Sequence, residues 1–416
     1  MNTVCRTMPV PIAAFTKDGW LFPKPRIKGE SMDYVLTEEQ QLLQDLARQV
    51  AEERIKPVRA ELDEQELFPT ELMQEMAQAD LFGIIIPEEY GGLGLGCLES
   101  CLVLEAIGTA CVGVGTTYAA TFLGAYPLLL YGSEAQKRHY LPKLVRGEQL
   151  AAFALTESQA GSDAGAIQTT AVRDGDFYVL NGTKQWITNA GEAGLYTIIA
   201  LTDRAKGARG ASAFVVLADD HGISFGKKEQ KMGIRASATR EISLQDCRIP
   251  ADRLIGKEGL GFIIALKTLD YARPGIGALA LGLAQGALDE AVLFARQRQQ
   301  FGHPIIGFQA VQHILADMAT QIEAARALIY SIARFIDQNP KDFAKEAAMA
   351  KVFATDVAMR VTTDAVQILG GHGYMREYPV EKMMRDAKIF QIFEGTNQVL
   401  RNIIGQALNK EYAKKR

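Results

Sequence analysis

The sequence predicts an α+β protein of three domains: an N-terminal α-helical domain, a central antiparallel β-barrel or sandwich, and a C-terminal four-helix bundle. The main observation is the hydrophobic period, which is helical from Thr37, alternating from about Ala151, and helical again after Gly259. The second is size, because 416 residues suffice for two to three domains. With 48% hydrophobic and 23% charged residues the chain has a globular composition. We place the domains at residues 32–150, 151–259 and 260–416.

Residues 1–31 differ from the rest of the chain. They contain Pro9, Pro11, Pro23 and Pro25 and show no sustained apolar period. They also lack the uninterrupted apolar segment of a secretion signal. We predict a disordered leader or extension before a natural start at Met32.

Two capping boxes mark helix starts in the N-terminal domain, Thr37 with Gln40 and Ser133 with Gln136. The segment Gly83–Gly96, "GIIIPEEYGGLGLG", is predicted to be a loop between helices. Its glycines do not form a GxGxxG nucleotide motif, because Cys97 stands where the last glycine would be.

The central domain is predicted from strand patterns. "FYVLNGTKQWITN" alternates around Asn181 and Gly182, a pair typical of a two-residue hairpin turn. "LYTIIALT", "SAFVVLA" and "REISLQD" follow as further strands with no helical pattern between them. About a hundred residues of this kind favour a compact antiparallel barrel or sandwich.

The C-terminal domain is predicted from three long Ala-rich amphipathic segments and a fourth helix, "TNQVLRNIIGQAL". Four antiparallel helices form a bundle. Their apolar faces are wide and rich in small residues, so we expect them to make contacts between subunits as well.

Composition excludes several function classes. A net charge of −4 without a Lys/Arg block argues against nucleic acid binding. No uninterrupted apolar run reaches the roughly 18 residues that span a bilayer, so we expect no membrane insertion. The five cysteines and five histidines show no metal-ligand spacing, so we expect no metal. Free thiols indicate a reducing compartment, and we predict a cytoplasmic protein, or a mitochondrial matrix protein if the source is eukaryotic.

Several polar stretches could carry chemistry, each beside a simpler structural interpretation. In "LTESQAGSDAG", Thr156 and Ser162 offer hydroxyls to a polar ligand, or the stretch is a solvated interdomain loop. Trp186 could be a platform for a ring or part of the core. Arg298 could bind a pyrophosphate, or simply close a helix C-terminus. The glycines of "QILGGHGY" suggest close approach of the backbone to a flat or charged group.

Glu394 lies in the apolar stretch "KIFQIFEGTNQVL". An acid near the start of a helix is favourable by itself. Alternatively the carboxylate is desolvated, with its pKa raised toward neutrality, and acts as a general base. The local sequence leaves both interpretations open.

Together these stretches resemble the acyl-CoA dehydrogenase family. "LTESQAGSD", "NGTKQWITNAG", "KMGIRASATRE", "RQRQQFG", "QILGGHGY" and "MRDAKIFQIFEGTNQ" occur in the order and spacing of that family, from Met32 to Gly405. The likeness is greatest to short- and medium-chain, butyryl-CoA dehydrogenase-like members. It implies non-covalent FAD in a homotetramer, dehydrogenation of an acyl-CoA to the trans-2-enoyl-CoA, and electron transfer to an electron-transfer flavoprotein.

The resemblance also implies roles for individual residues. Glu394 matches the catalytic base, and the residues that match FAD-binding positions are Thr156, Ser162, Trp186, Thr188, Arg298, Phe301, Gln367, Gly371, Thr396 and Gln398. Of these, Arg298 and Phe301 with Gln367 and Gly371 would hold the adenosine diphosphate part across a subunit boundary. The residues that match substrate-binding positions are Ser162, Asp270, Arg273, Phe393 and Gly395.

Two positions depart from the family pattern, Ser158 for a usual proline and Phe393 for a frequent tyrosine. Tyr271 and Ala272 occupy the alternative position for a base, and neither can act as one. Other hypotheses are an acyl-CoA oxidase, a glutaryl- or cyclic acyl-CoA dehydrogenase, and a non-catalytic acyl-CoA-binding relative.

Overall fold

The structure is a computed structural model that describes residues 34–413 and the backbone of two short paired strands, β1 (Ala14–Thr16) and β2 (Gly19–Leu21). The rest of the predicted leader, residues 1–31, and the predicted start at Met32 lie outside the described residues. The disorder of the leader therefore stays a prediction.

The N-terminal domain is helical, as predicted. Both capping boxes are confirmed, because Thr37 and Ser133 accept hydrogen bonds from the backbone N–H groups of Gln40 and Gln136. The segment from Gly83 to Gly96 is irregular, with two short 3₁₀ turns. The helices described here are α1 (Glu38–Val50), α2 (Arg59–Glu64), α3 (Thr70–Gln78), α4 (Cys97–Ala110), α5 (Val112–Tyr131) and α6 (Glu134–Val145).

The central domain is a β domain, as predicted, but its sheet is mixed, so the predicted purely antiparallel arrangement is wrong. Its strands are β3 (Ala151–Ala154), β4 (Thr170–Asp174), β5 (Phe177–Thr188), β6 (Leu195–Leu201), β7 (Ala211–Leu217), β8 (Ile223–Phe225), β9 (Thr239–Pro250) and β10 (Leu254–Ile255). The main order is β10-β7-β6-β4-β5-β9-β8, and β3 pairs with β6. Both β3 and β4 run parallel to β6, a direction that alternation within one strand cannot reveal.

The predicted hairpin at Asn181 and Gly182 is also wrong, because β5 continues through these residues. The register shifts between Leu180 and Gly182, which marks a β-bulge. A Cβ at Gly182 would lie 2.5 Å from Thr169 Oγ1, so the glycine permits close packing there. The turn that joins β4 to β5 instead contains Gly175, whose φ is +60°.

The C-terminal domain contains the predicted long helices and one additional helix. They are α7 (Gly261–Gln297), α8 (Gln309–Asp337), α9 (Ala344–Leu369), α10 (Val380–Phe390) and α11 (Asn397–Ala413); the hairpin of β11 (Gln299–Gln300) and β12 (His303–Pro304) follows α7. Helix α10 escaped prediction because its buried face carries a charged pair, Lys382 and Asp386, whose atoms Nζ and Oδ2 are 2.5 Å apart.

Helix α7 is the central helix of the molecule and packs on α4, α5, α8 and α9. Its approach to α4 requires glycine, since a Cβ at Gly282 would lie 2.1 Å from Glu105 O. By length and composition alone α7 could cross a membrane, although polar residues interrupt its apolar sequence. However, 61% of its most apolar window is buried in the protein. Packing of the domain thus accounts for the apolar character of α7.

Candidate active site

The three domains meet at a cavity of about 430 Å³. Its walls come from α5, the segment after β3, the end of β5, α7, and the turn between α10 and α11. The predicted site residues that line this cavity are Thr156, Ser162, Trp186, Thr188, Arg273, Phe393, Glu394 and Gly395. Residues far apart in the sequence are therefore brought to one site.

The end of β5 forms one wall through an irregularity in the strand. Trp186, Ile187 and Thr188 all line the cavity, although successive residues of a regular strand face opposite sides. A register shift between Lys184 and Ile187 and a φ of +54° at Trp186 allow this arrangement. The Trp186 side chain is 57% exposed, so its ring is available to a ligand and does not belong to the core.

The loop that carries Thr156 and Ser162 is anchored by a buried ion pair. Lys184 Nζ lies 2.8 Å from Glu157 Oε1 and 3.0 Å from Leu155 O. Glu157 also accepts hydrogen bonds from the backbone N–H groups of Gln168 and Thr169. Burial acts to raise the pKa of Glu157, but the Lys184 ammonium and these hydrogen bonds hold it below its usual range. This pair therefore connects the loop to the strand that carries Trp186.

Glu394 lies in a tight turn between α10 and α11. Its φ is +53° and that of Gly395 is +94°, so two successive residues have left-handed backbone conformations. Thr396 then caps α11, because its Oγ1 accepts a hydrogen bond from Val399 N. The turn directs the Glu394 carboxylate into the cavity and away from the helix terminus.

The electrostatic environment of Glu394 brings its pKa close to neutrality, so both the neutral and the ionised carboxyl group are populated near pH 7. Burial raises its pKa to about 7, and the nearby cations Arg273 and Lys351 oppose this shift. Its Oε2 atom is buried without a hydrogen-bond partner among the described residues. In its ionised form this carboxylate can accept a proton from a bound molecule, so the structure favours a general base over an exposed acid at the start of a helix.

Arg273 and Asp270 form a buried pair on α7. Arg273 Nη1 lies 2.9 Å from Asp270 Oδ1, and Arg273 Nε donates to the Glu394 carbonyl oxygen at 3.3 Å. Arg273 lines the cavity, whereas Asp270 is not among its lining residues. Asp270, which was predicted to bind substrate, thus pairs with Arg273 outside the cavity and orients the Arg273 side chain.

A second, much smaller cavity of about 20 Å³ lies on the other side of Glu394. Ala119, Ile276 and Glu394 line both cavities. Tyr126 and Tyr271 also line it, and their rings are stacked with centroids 5.7 Å apart. A space of this size holds about one water-sized group. Ala119 and Phe122 of α5 also line this cavity.

The remaining predicted residues lie away from both cavities. Arg298, Gln367 and Gly371 are exposed, and Phe301 is 91% exposed. Gln398 is exposed on α11, and the structure gives Thr396 the capping role described above. A single chain therefore does not bring these residues to the ligand cavity, and their predicted role at FAD stays a prediction.

Three buried charged residues at the site were not predicted: Glu157, Lys184 and Lys351. All three are buried, and Lys351 is on the buried face of the Ala-rich helix α9. A lysine on such a face is unusual and could have been noticed. Its partners, the Gly395 carbonyl and the Asn397 side chain, could not be predicted, because they come from a distant segment of the chain. Among the residues that the structure describes, no group of His, Cys, Asp and Glu could hold a metal ion.

Comparisons with known proteins agree with the fold. The chain matches the acyl-CoA dehydrogenase N-terminal domain over residues 37–148, the middle domain over 152–247 and the C-terminal domain over 259–409. The short-chain specific acyl-CoA dehydrogenase of Clostridium acetobutylicum is 47% identical, covering 90% of this chain and 98% of the relative.

Two solved structures are similar over nearly the whole fold. Butyryl-CoA dehydrogenase from Megasphaera elsdenii has a TM-score of 0.88 and 46% identity, covering 91% of this chain and 100% of that one. A chain from a structure of the electron transferring flavoprotein of Acidaminococcus fermentans has a TM-score of 0.89 and 48% identity, covering 91% and 99%. The fold and site define a flavin-dependent oxidoreductase. The chain belongs to the acyl-CoA dehydrogenase family.

Proposed function

We propose that the protein dehydrogenates a short-chain acyl-CoA, with butyryl-CoA as the reference substrate, to the trans-2-enoyl-CoA. The observation that carries this proposal is the buried Glu394 carboxylate, whose Oε2 has no partner among the described residues and lies where the two cavities meet. In this proposal Glu394 accepts the proton from the Cα atom of the thioester. The electron pair of that C–H bond then forms the Cα–Cβ double bond.

The larger cavity fits a flavin. Its polar contacts include the hydroxyls of Thr156, Ser162 and Thr188, and its walls include the Trp186 ring and aliphatic side chains. A flat ring system with apolar faces and polar edges is complementary to that combination. FAD, when bound, supplies the acceptor for the hydride that leaves the Cβ atom. Removal of water from this cavity by the bound molecules would keep the Glu394 carboxylate weakly solvated and basic.

The developing negative charge on the thioester oxygen needs hydrogen-bond donors. The backbone N–H of Glu394 is the donor that this chain offers, as the family resemblance implies. Arg273 is a fixed cation beside the same turn. We infer that Arg273 keeps the Glu394 backbone in place and adds positive potential where the charge develops.

The small cavity supports a short acyl chain. The free space of this cavity is about 20 Å³, and its lining includes the stacked rings of Tyr126 and Tyr271. A chain as long as octanoyl would have to displace these rings, which costs packing energy. No charged side chain other than Glu394 lines this cavity among the described residues, which favours a monocarboxylic substrate.

The same proposal includes FAD as the non-covalent cofactor, an electron-transfer flavoprotein as acceptor, and a homotetramer. The acceptor is supported by the similarity to the chain from the Acidaminococcus structure. The exposed Arg298 and Phe301 support a subunit contact, because they lie outside the cavity of their own chain. A reducing compartment, cytoplasmic or mitochondrial, is consistent with the four free cysteines that the structure describes.

The test is an anaerobic titration of the purified holoprotein with butyryl-, octanoyl-, isovaleryl- and glutaryl-CoA, followed in the visible spectrum. We expect butyryl-CoA to bleach the flavin band at the lowest concentration. Bleaching by octanoyl- or glutaryl-CoA alone would contradict the short-chain assignment. A protein purified without a flavin band that binds none upon addition of FAD would contradict the enzyme and support a non-catalytic relative. Oxygen consumption after reduction, as fast as turnover with an electron-transfer flavoprotein, would indicate an oxidase instead.

A further inference from the structure

Lys351 on α9 is a buried ammonium group to which the proposed reaction assigns no role. The residue is fully buried, yet it forms no ion pair at contact distance among the described residues. Its Nζ lies 2.9 Å from the Gly395 carbonyl oxygen and 2.9 Å from Asn397 Oδ1. An ammonium in an apolar interior is costly unless its hydrogen bonds serve a purpose.

The segment that Lys351 contacts is the turn that carries Glu394. Because Glu394 and Gly395 both have positive φ, the surrounding structure must hold this turn. The Glu394 carbonyl accepts from Arg273 Nε at 3.3 Å, and the next carbonyl, that of Gly395, accepts from Lys351. Two successive peptide groups are thus held by buried cations from two different helices, α7 and α9.

The second contact of Lys351 is itself fixed. Asn397 Nδ2 donates to Thr355 Oγ1 at 2.9 Å and to Asp356 Oδ1 at 2.8 Å, both on α9. These bonds orient the amide so that its oxygen faces Lys351. The ammonium is therefore held at a defined position, against the carbonyl group of Gly395, the residue that follows Glu394.

We propose that Lys351 is a positioning residue for the base: by binding the Gly395 carbonyl it sets the backbone of the turn and so aims the Glu394 carboxylate at the thioester Cα atom. This inference rests on the proposed function of Glu394. Small displacements of a catalytic group are enough to matter, because an error of about 1 Å can cost roughly 100-fold in rate.

The charge of Lys351 gives the proposal a second observable. The titratable or charged groups around Glu394 come from four helices: Cys97 from α4, Tyr126 from α5, Tyr271 and Arg273 from α7, and Lys351 from α9. Of these, Arg273 and Lys351 lower the pKa of Glu394 against the effect of burial. Burial lowers the pKa of Lys351 itself to about 7, so its charge is present below that pH, on the acid limb. Loss of this charge should therefore raise the pKa of Glu394 further, and the acid limb of the pH–rate profile should move to higher pH.

The experiment compares Lys351→Met with Lys382→Met in the FAD-loaded protein. Lys382 is the matched control, because it is also buried and pairs with Asp386 on α10, away from Glu394. Both changes remove a buried ammonium and lower stability. We expect Lys351→Met alone to reduce kcat for butyryl-CoA by roughly 10- to 100-fold with little change in KM and an acid limb at higher pH.

A second readout isolates proton abstraction from dehydrogenation. Acetyl-CoA has Cα hydrogens but no Cβ atom, so it can exchange deuterium at Cα in D₂O but cannot be dehydrogenated. In this exchange the base takes a proton from Cα and returns a deuteron, without any change in oxidation state. We expect Lys351→Met to slow the exchange in proportion to kcat, while the flavin spectrum of the bound cofactor is unchanged.

Lys351→Arg keeps the proposal testable if Lys351→Met does not fold. It retains the positive charge but replaces a compact ammonium with a larger planar group. We expect the acid limb to stay at its wild-type position and kcat to fall, because the Gly395 contact changes. Kinetics and pH profile like those of Lys382→Met, in whichever Lys351 variant folds, would show a purely structural role and overturn the proposal. A wild-type protein that neither exchanges acetyl-CoA nor oxidises butyryl-CoA would instead contradict the proposed function.

Discussion

At the scale of the residue, the position of Glu394 is decided by backbone conformation and desolvation. An acid after four apolar residues and before a glycine could have lain in solvent at the start of α11. Instead Thr396 caps that helix, and the left-handed conformation of Glu394 turns its carboxylate into the cavity. The Oε2 atom is buried without a hydrogen-bond partner among the described residues, so it is available to a bound ligand.

Glu394→Gln should remove the base while keeping the shape of the turn. We expect kcat for butyryl-CoA to fall by roughly 10² to 10⁴, the usual contribution of a general base. FAD content should be unchanged, because the amide fills the same space. The measurement is steady-state turnover together with the flavin absorbance per chain. Glu148→Gln, an exposed acid at the end of α6, is the control; equal turnover in the two variants would refute the role of Glu394.

The pH dependence of activity follows from the raised pKa of Glu394. Only the ionised carboxylate can accept a proton, and burial places its pKa at about 7. Activity should therefore be retained above pH 7 and lost as the pH falls, by about tenfold for each pH unit on the acid limb. The measurement is kcat/KM for butyryl-CoA between roughly pH 5 and 9, a range that brackets the pKa of Glu394. Recovery of activity on return to neutral pH shows that the loss at low pH is reversible. An acid limb in the usual range of a glutamate, about 4.3, would mean that the site is well hydrated.

At the scale of the element, irregular backbone and buried ion pairs build the wall of the larger cavity. The bulge near the end of β5 exposes Trp186, and the pair of Glu157 with Lys184 holds the loop after β3 against the same strand. The ammonium of Lys184 is fully buried, and burial lowers its pKa to about 8. Such a pair depends on both partners, because either charge alone would be unpaired in the interior.

Lys184→Met should destabilise the central domain, because it leaves the Glu157 carboxylate buried without its cation. Breaking a buried pair typically costs about 3 to 5 kcal/mol. The midpoint of thermal unfolding, followed by circular dichroism, should fall by several degrees. Lys56→Met, which breaks an exposed pair with Glu52 on the N-terminal domain, should change it little. Equal midpoints for the two variants would mean that the Glu157 hydrogen bonds suffice without Lys184.

At the scale of the whole molecule, the site requires all three domains. Helix α5, the segment after β3, the end of β5, α7 and the turn before α11 each contribute lining residues. Arg298 and Phe301 follow the end of α7 and lie outside this cavity. If they bind FAD, as the family resemblance implies, they bind the cofactor of another subunit.

Arg298→Ala should therefore weaken FAD retention in a way that depends on assembly. We expect the variant to lose FAD on dilution faster than the wild type, because a guanidinium that binds phosphate oxygens is removed. The measurement is flavin absorbance per chain after gel filtration, with oligomeric state from sedimentation. Arg296→Ala, an exposed arginine two residues earlier, is the control. FAD retention equal to that of the control would remove Arg298 from the cofactor site.

Much of this architecture could be predicted from the sequence because it depends on local patterns. Helical period, capping boxes and the long Ala-rich segments identified the helical domains, with the exception of α10. The prediction of a hairpin at Gly182 was wrong because a glycine suits either a tight turn or close packing against another segment. Only the position of Thr169 in the folded chain decides between the two. The predicted antiparallel direction of β3 and β4 was wrong for a similar reason, since these strands pair with β6 only in the folded chain.

By itself the sequence determined the order of the domains, the family, and the residue types of the site, because periodicity and motif spacing are properties of the chain. The tertiary structure alone decided what surrounds each charge. It showed Lys351 against the Gly395 carbonyl, Lys184 against Glu157, and Tyr126 against Tyr271 in the lining of the small cavity. Desolvation and hydrogen bonding act over a few ångströms of space, whatever the separation along the chain, so a pKa shift or the size of a cavity becomes visible only once distant segments are packed together.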